Sequence, residues 1–183
     1  MIRIREEHPE DLAAVRRINE EAFGQPQEAE LADALRRSCP DLLSLVATEG
    51  NRPVGHILFS PAAIFPDPPA AYPGADTDHP ALPRGLALGP MAVLPARQRR
   101  GIGSALVRRG LSLARATGAA FVIVLGHPGF YPRFGFQPAA PLGIRCQWEG
   151  VPEEAFMIRV LDSRAMAEVT GTARYREEFD AAV

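Results

Sequence analysis

The chain contains no lysine, so all 20 of its basic side chains are arginines. A P-loop uses the lysine of its Gly-x4-Gly-Lys-Ser/Thr motif to reach nucleotide phosphates, and that class of site is therefore excluded. The formal net charge of −2 at pH 7 lacks the basic excess that is typical of nucleic-acid binding. No apolar run approaches the roughly 20 residues of a membrane span, and no basic-then-apolar signal opens the chain. We expect a cytoplasmic protein with neither a nucleic acid nor a membrane as partner.

Cysteine is equally scarce, because only Cys39 and Cys146 are present and they lie far apart in the sequence. Two isolated cysteines exclude a disulfide framework, and neither has the spacing of a metal-ligand pair. We expect both to be reduced thiols and no metal to be bound. With 183 residues and 46% apolar content, the chain is long enough to bury one substantial core, which predicts a single domain over residues 1–183.

The most informative segment runs from Leu86 to Leu106 and reads as an apolar strand, a proline stop and a helix. The first turn of a helix carries backbone N–H groups without intrahelical partners, so it attracts anions. Gly101 and Gly103 remove the side chains that would keep a phosphate from those donors. A dinucleotide-binding turn would need glycine or alanine where Leu106 stands. Arginines cluster around this segment: Arg97, Arg99, Arg100, Arg108 and Arg109.

Two further signals follow downstream. Phe121 to Gly126 is a short apolar run that predicts a buried strand parallel to the first, because a helix of crossover length separates the two. Tyr131 then precedes Gly135-Phe136 by four residues. The resulting order is a strand, a Gln-x-x-Gly-x-Gly helix start, a second strand and a Tyr-x-x-x-Gly-Phe segment.

This order of motifs resembles the GNAT superfamily of acyl-CoA-dependent N-acetyltransferases, over about Leu86 to Phe136. The LGHPGFYPRFGF segment is similar to a bacterial branch of predicted N-acetyltransferases. The resemblance implies an α/β (α+β) fold with a mixed central sheet of about six to seven strands, splayed at the acyl-CoA site, and helices on both faces. It implies acetyl-CoA as co-substrate, with the pyrophosphate held by the family motif at Gln98, Gly101 and Gly103. The full set expected to bind it is Met91, Ala92, Val93, Gln98, Arg99, Arg100, Gly101, Ile102, Gly103 and Ser104.

Two residues are candidates for catalysis. The family spacing matches Tyr131, which would stabilise the leaving thiolate of coenzyme A. His127 follows the second strand, where α/β folds place ligand-facing groups, and its ordinary pKa near neutrality suits a base. His56, Glu21, Glu28 or a base acting through water are alternatives. Backbone N–H groups of Met91 to Val93 would polarise the thioester, if Gly89-Pro90 introduces a bulge or splay into that strand.

Periodicity predicts the remaining elements. Strands are expected at Met1–Arg5, Leu42–Thr48, Val54–Phe59, Ile144–Trp148 and Ala155–Leu161, and helices from His8 to about Phe23 and from Glu28 to Arg37. Ser60 to Arg84 is rich in proline and small residues and predicts a long irregular loop. That loop either flanks an acceptor pocket or is a solvent-exposed insertion.

The predicted activity is acetyl transfer to a primary amine by direct attack in a ternary complex. A small-molecule amine is the expected acceptor, and a homodimer is considered. Two alternatives stay open. One is a non-catalytic acyl-CoA-binding sensor or regulatory module, which would need no Tyr131. The other is an enzyme that binds a nucleotide at a Rossmann-like turn, which Leu106 disfavours.

Overall fold

The computed structural model describes residues 1–66 and 82–182, and these form two compact units. The first unit contains residues 1–60, 88–114 and 176–182. The second contains residues 61–66, 82–87 and 115–175. The single domain expected from composition stays a prediction.

The sheet of the first unit is antiparallel, in the order β1-β2-β3-β4. Its strands are β1 (Ile2–Glu6), β2 (Leu43–Glu49), β3 (Arg52–Phe65, of which residues 52–60 belong here) and β4 (Gly85–Val93, residues 88–93). A tight turn at Gly50, with φ +61°, joins β2 to β3. The amide of Leu94 donates to the Val54 carbonyl at 3.0 Å, so β4 ends where β3 begins. The four strands predicted in this part of the chain are thus confirmed.

Three α-helices contribute to this unit: α1 (Leu12–Phe23), α2 (Gln27–Ser38) and α3 (Ile102–Ala116). A short 3-10 turn, Pro9–Asp11, precedes α1, and the Asp11 carboxylate accepts the His8 backbone N–H at 2.8 Å. Gly24 ends α1 with φ +73°, a conformation that glycine adopts without a Cβ penalty. The bounds of α2 lie within one residue of those predicted, whereas α1 ends at Phe23 as predicted but begins four residues after the predicted start at His8, because residues 9–11 form the 3-10 turn.

The helices cover both faces of this sheet, as predicted. On one face, α1 buries Asn19 against His56 of β3, with 3.2 Å between Asn19 Nδ2 and His56 Nδ1. On the other face, α3 lies so close to β3 that a Cβ added to Gly55 would be 3.1 Å from Ile102 Cγ2. A Cβ on Gly110 of α3 would be 2.4 Å from the Phe59 ring. Glycines on both elements therefore permit the close packing of α3.

A buried polar network runs beneath α1 and α2. Asn19 donates to His56 Nδ1, so the neutral imidazole carries its proton on Nε2, which lies 3.0 Å from the Ser44 hydroxyl. Ser44 in turn donates to Glu7, whose carboxylate pairs with Arg36 at 2.7 Å. Burial would raise the pKa of Glu7, but hydrogen bonds from His56 and Ser44 and the Arg36 charge outweigh it and lower that pKa to about 2. Burial lowers the pKa of His56, which favours the neutral ring.

The second unit is built around β5 (Phe121–Leu125), which pairs antiparallel with β8 (Phe156–Val160). Its short strands are β6 (Gln137–Pro138), β7 (Ile144–Cys146) and β9 (Gly171–Arg174). The amide of Ala120 donates to the Arg84 carbonyl at 2.7 Å, so β4 and β5 begin side by side and run in the same direction. The predicted parallel relation of these two strands is confirmed.

Two differences from the sequence predictions concern strands with distant partners. The predicted start of the loop at Ser60 is too early, because β3 continues to Phe65. Residues 63–65 pair with β9, a partner that lies far along the chain and leaves no local signal. The rest of that expected loop, residues 67–81, lies outside the described residues. The described residues contain nine strands against six to seven expected, since β6 and β9 are too short to show periodicity.

The Glu7–His56 network predicts a stability that falls as the pH is lowered. His56 is neutral in the folded state and protonates in the unfolded chain below about pH 6.5, so stability declines below that pH. The lowered pKa of Glu7 adds a second decline from about pH 4.5 towards pH 2. Urea unfolding across this range should show both phases, with His56→Gln flattening the upper one and Glu7→Gln the lower one. Glu10→Gln, at an exposed carboxylate, is the control that should leave both phases unchanged.

Candidate active site

The start of α3 forms an open cradle of backbone amides in the first unit. The first intrahelical bond runs from the Ala105 amide to the Gly101 carbonyl at 3.0 Å. The amides of Ile102, Gly103 and Ser104 come before this bond, so they have no carbonyl of the helix to which they can donate. Gly101 has φ +80°, and a Cβ placed on it would meet no atom within 4 Å. This arrangement of amides is open to solvent, and the predicted binding of an anion there stays a prediction.

The loop that leads into α3 is held by its own side chains. Gln98 donates from Nε2 to the Val93 carbonyl at 3.1 Å, which ties the loop to the end of β4. Arg99 has φ +60°, the only non-glycine residue with positive φ in the described parts of the chain. Arg99 and Arg100 are exposed beside the cradle. Arg97, expected among the approach arginines, instead pairs with Glu49 of β2 at 2.9 Å.

Packing fixes the position of this cradle. Ile102 is buried at the first turn of α3 and lies against Gly55 of β3. In β4, Ala92 and Val93 are buried and Met91 is half-buried. The Gly89–Pro90 peptide bond is cis. The residues from Met91 to Ser104 thus form one continuous stretch in which strand, loop and helix start are anchored to β3.

Tyr131 belongs to the second unit and is buried in an aromatic cluster. It opens a 3-10 helix, Tyr131–Phe134, and its ring packs edge-on against Phe130 at 5.1 Å and Phe136 at 5.6 Å between centroids. A turn at His127 connects β5 to this 3-10 helix. Burial raises the pKa of the Tyr131 phenol well above its ordinary value. The hydroxyl therefore stays protonated and acts as a hydrogen-bond donor throughout the physiological pH range.

His127 lies in the turn that connects β5 to Tyr131. Its carbonyl accepts the amides of Phe130 at 2.9 Å and Tyr131 at 3.4 Å, so its backbone positions the tyrosine. Its side chain is exposed to solvent. The structure therefore brings His127 and Tyr131 together through the backbone of one turn.

Each of the three side chains considered as an alternative base has a partner in the structure. His56 is fully buried, with Asn19 on one ring nitrogen and Ser44 near the other. Glu21 pairs with Arg17 at 3.4 Å, and Glu28 accepts the Gln25 side-chain amide at 3.1 Å. Of the residues considered for the base, His127 has the most accessible imidazole.

Tyr175 is a buried polar residue near this site that the sequence did not single out. Its ring packs against Trp148 at 4.9 Å and Phe156 at 6.5 Å, and its amide donates to Gln147 Oε1 at 2.7 Å. Burial raises the pKa of its phenol, the neighbouring Cys146 and Tyr131 add to the rise, and the Leu125 backbone opposes it. No motif surrounds Tyr175, so only the tertiary structure reveals its position.

Within residues 1–66 and 82–182, no group of three or more histidine, cysteine or acidic side chains is placed to hold a metal ion. Both Cys39 and Cys146 are free thiols. No helix in these same residues has the length and apolar character needed to cross a membrane.

A glycine-rich helix start after one strand and a tyrosine after the next strand are the features expected of an acyl-CoA-dependent acyltransferase, and the comparisons with known proteins show this class. Residues 12–136 match the model of the Acetyltransferase (GNAT) family. The uncharacterized N-acetyltransferase YhbS of Escherichia coli strain K12 is 33% identical over 178 residues, which cover 97% of this chain and 98% of that protein. The chain belongs to the GNAT family and is an N-acetyltransferase of that kind.

Two solved structures have similar folds. The Escherichia coli GNAT family N-acetyltransferase YhbS, in complex with CoA, gives a TM-score of 0.82 at 32% identity, over 98% of this chain and 92% of that one. A GNAT family acetyltransferase from Brucella melitensis, in complex with acetyl-CoA, gives 0.73 at 34% identity, over 98% and 99%. The GNAT fold predicted from the motifs is thereby confirmed.

Gly126 should be required for the position of Tyr131. A Cβ added to Gly126 would lie 2.3 Å from Tyr131 Cε2, so alanine there must push the ring out of its aromatic cluster. We expect Gly126→Ala to lower the melting temperature by roughly 5 °C, because overpacking a core costs on the order of 1–3 kcal/mol. Gly129→Ala is the matched control, since a Cβ at Gly129 meets no atom within 4 Å. Equal melting temperatures for the two variants in a thermal scan would contradict this packing.

Proposed function

We propose that this protein transfers an acetyl group from acetyl-CoA to the primary amine of a small molecule, by direct attack of the amine on the thioester. The observation that carries the proposal is the open cradle of amides after Gly101, which lies at the segment that resembles the family motif through Gln98, Gly101 and Gly103. The complexes of CoA with Escherichia coli YhbS and of acetyl-CoA with the Brucella melitensis acetyltransferase support the same ligand.

The cradle residues would bind the pyrophosphate of the co-substrate. The amides of Ile102, Gly103 and Ser104 supply donors at the positive end of the α3 dipole. Arg99 and Arg100 are exposed on the approach and add charge-assisted hydrogen bonds. Gln98 has its side-chain amide committed to Val93, so its role is to hold the loop in this shape.

The backbone of Met91 to Val93 would bind the acyl part of the co-substrate. Backbone N–H groups at the end of β4 would hydrogen-bond the thioester carbonyl and stabilise the negative charge that develops when the amine attacks. Because backbone donors are fixed by the strand, they need no reorganisation during the reaction. We assign polarisation of the carbonyl to these residues.

Tyr131 would stabilise the thiolate that leaves when the carbon–sulfur bond breaks. A phenol of ordinary pKa is already about 2 kcal/mol too weak an acid to protonate a thiolate fully. Burial raises the pKa of Tyr131 further, so complete transfer becomes less favourable. Tyr131 therefore acts by donating a hydrogen bond, and the sulfur takes its proton later, either from solvent or from the positively charged nitrogen that has attacked the thioester and becomes the amide nitrogen of the product.

His127 is the proposed base. The amine arrives mostly protonated near neutral pH and must lose a proton before it can attack. An exposed imidazole at the end of β5 can accept that proton and pass it to solvent.

The small amine acceptor, the cytoplasmic location and the homodimer are predictions that rest on the sequence.

Acetyl-CoA binding should depend on the cradle. Calorimetric titration should show that the wild type binds acetyl-CoA and that Gly103→Glu weakens binding at least tenfold, because a carboxylate there repels the pyrophosphate. Ser112→Glu adds the same charge to an exposed position on α3, about 13 Å along the helix axis, and should bind acetyl-CoA like the wild type. A wild type that does not bind acetyl-CoA would refute the proposed co-substrate.

Tyr131→Phe should separate binding from chemistry. The variant keeps the aromatic ring and loses only the hydroxyl, so acetyl-CoA affinity should be unchanged while kcat for CoA release falls roughly 100-fold. Stopped-time assays of thiol release in the presence of a primary amine measure this fall. Full activity in Tyr131→Phe would remove the tyrosine from the mechanism. A wild type that binds acetyl-CoA but acetylates no amine would favour the sensor alternative.

A further inference from the structure

The C-terminal segment, residues 176–182, folds back onto the first unit. It forms a 3-10 helix, Glu177–Ala181, that packs on the end of α2. The Phe179 amide donates to the Arg176 carbonyl at 3.1 Å, and the Ala182 amide donates to the Phe179 carbonyl at 2.9 Å. The segment is therefore an ordered part of this unit.

Glu178 fastens the segment to α2. Its carboxylate accepts two hydrogen bonds from Arg176, at 2.9 and 3.0 Å, and a third from the Ser38 hydroxyl at the end of α2. The Glu178 side chain is only 10% exposed, whereas that of Arg176 is 30% exposed, so the ion pair is partly shielded from solvent. Charge-assisted bonds of this kind hold the segment in one position.

This fastening places the Phe179 ring directly against β4. Phe179 is buried, and a Cβ added to Gly89 would lie 3.2 Å from its Cε1 atom. Gly89 stands two residues before Met91, the first of the residues assigned above to the thioester. The ring therefore lies beside the strand that would present the acyl group.

The two faces of the sheet would bind different reactants, the co-substrate on one face and the amine on the other. The pyrophosphate cradle belongs to α3, which covers the face that carries Gly55 and Phe59. The opposite face carries His56 and is covered by α1, while α2 packs on α1 and holds the C-terminal segment. If the co-substrate enters along the α3 side, the amine reaches the acyl carbon from the side of the C-terminal segment.

We infer that the C-terminal segment forms one wall of the amine site and that Phe179 determines which amines fit. This inference rests on the proposed acetyl transfer. An apolar ring with no ionised group of its own favours an amine on an aliphatic or aromatic skeleton, since Glu178 is already neutralised by Arg176. Polyamines would leave their further charges against this apolar wall without partners.

The test compares Phe179→Leu and Gly89→Ala with the wild type. A panel containing n-propylamine, 2-phenylethylamine, L-alaninamide and spermidine is screened first for CoA release. The best small and the best bulky substrate are then compared by their kcat/KM ratio. Phe179→Leu shortens the wall and should raise the bulky-to-small ratio roughly tenfold. Gly89→Ala presses the ring outwards and should lower that ratio, and the double variant should restore it towards the wild-type value.

The KM for acetyl-CoA and the melting temperature serve as internal readouts. Both should change far less than the substrate ratio, and Phe23→Leu, at an exposed ring on α1, should leave the ratio at its wild-type value. An unchanged ratio in both single variants, or a change matched by an equal change in the KM for acetyl-CoA, would overturn the inference while leaving the acetyltransferase proposal in place. A wild type that acetylates no amine in the panel would overturn both.

Discussion

The close packing of α3 on β3 is the constraint on which the candidate site depends. Gly55 and Gly110 lack the Cβ atoms that would collide with Ile102 and Phe59, so the helix approaches the strand closely. This contact fixes where the first turn of α3 begins, and with it the direction of the free amides after Gly101. An anion site made of backbone groups has no side chains to adjust its geometry. Its precision therefore comes from the core behind it.

The opposite face of the same sheet is organised by charge rather than by small residues. Glu7, Ser44 and His56 form a buried chain of hydrogen bonds, and Arg36 forms an ion pair with Glu7 at its end. Such a network is costly to bury unless each member is satisfied, so it favours one arrangement of α1, α2 and the strands. The same helices hold the C-terminal segment through Ser38. The buried network thus supports the position of Phe179 indirectly, through α2.

The sequence predicted elements whose signals are local. Alternation and helical spacing located β1, α1 and α2 within a few residues, and Gln98 to Gly103 identified the cradle because the spacing of its glycines has a direct physical meaning. The extension of β3 to Phe65 was missed because its partner, β9, is distant in the chain. The roles of Arg97 and Gln98 inside the loop were also missed, since a partner such as Glu49 is chosen by the fold and not by spacing.

His56 and Tyr131 are both buried, but their surroundings differ, and so does the chemistry that is open to each. His56 is buried among polar groups that use both of its nitrogens, so the neutral ring has no free site for a substrate proton. Tyr131 is buried among aromatic rings, which pack against its own ring, so the hydroxyl is the group that remains for chemistry. A donor whose pKa is raised by burial cannot ionise at physiological pH, but it can hydrogen-bond to an anion in a medium of low dielectric, where that bond is strong. The same apolar surroundings that make Tyr131 a poor acid would therefore strengthen the hydrogen bond through which we propose that it stabilises a thiolate.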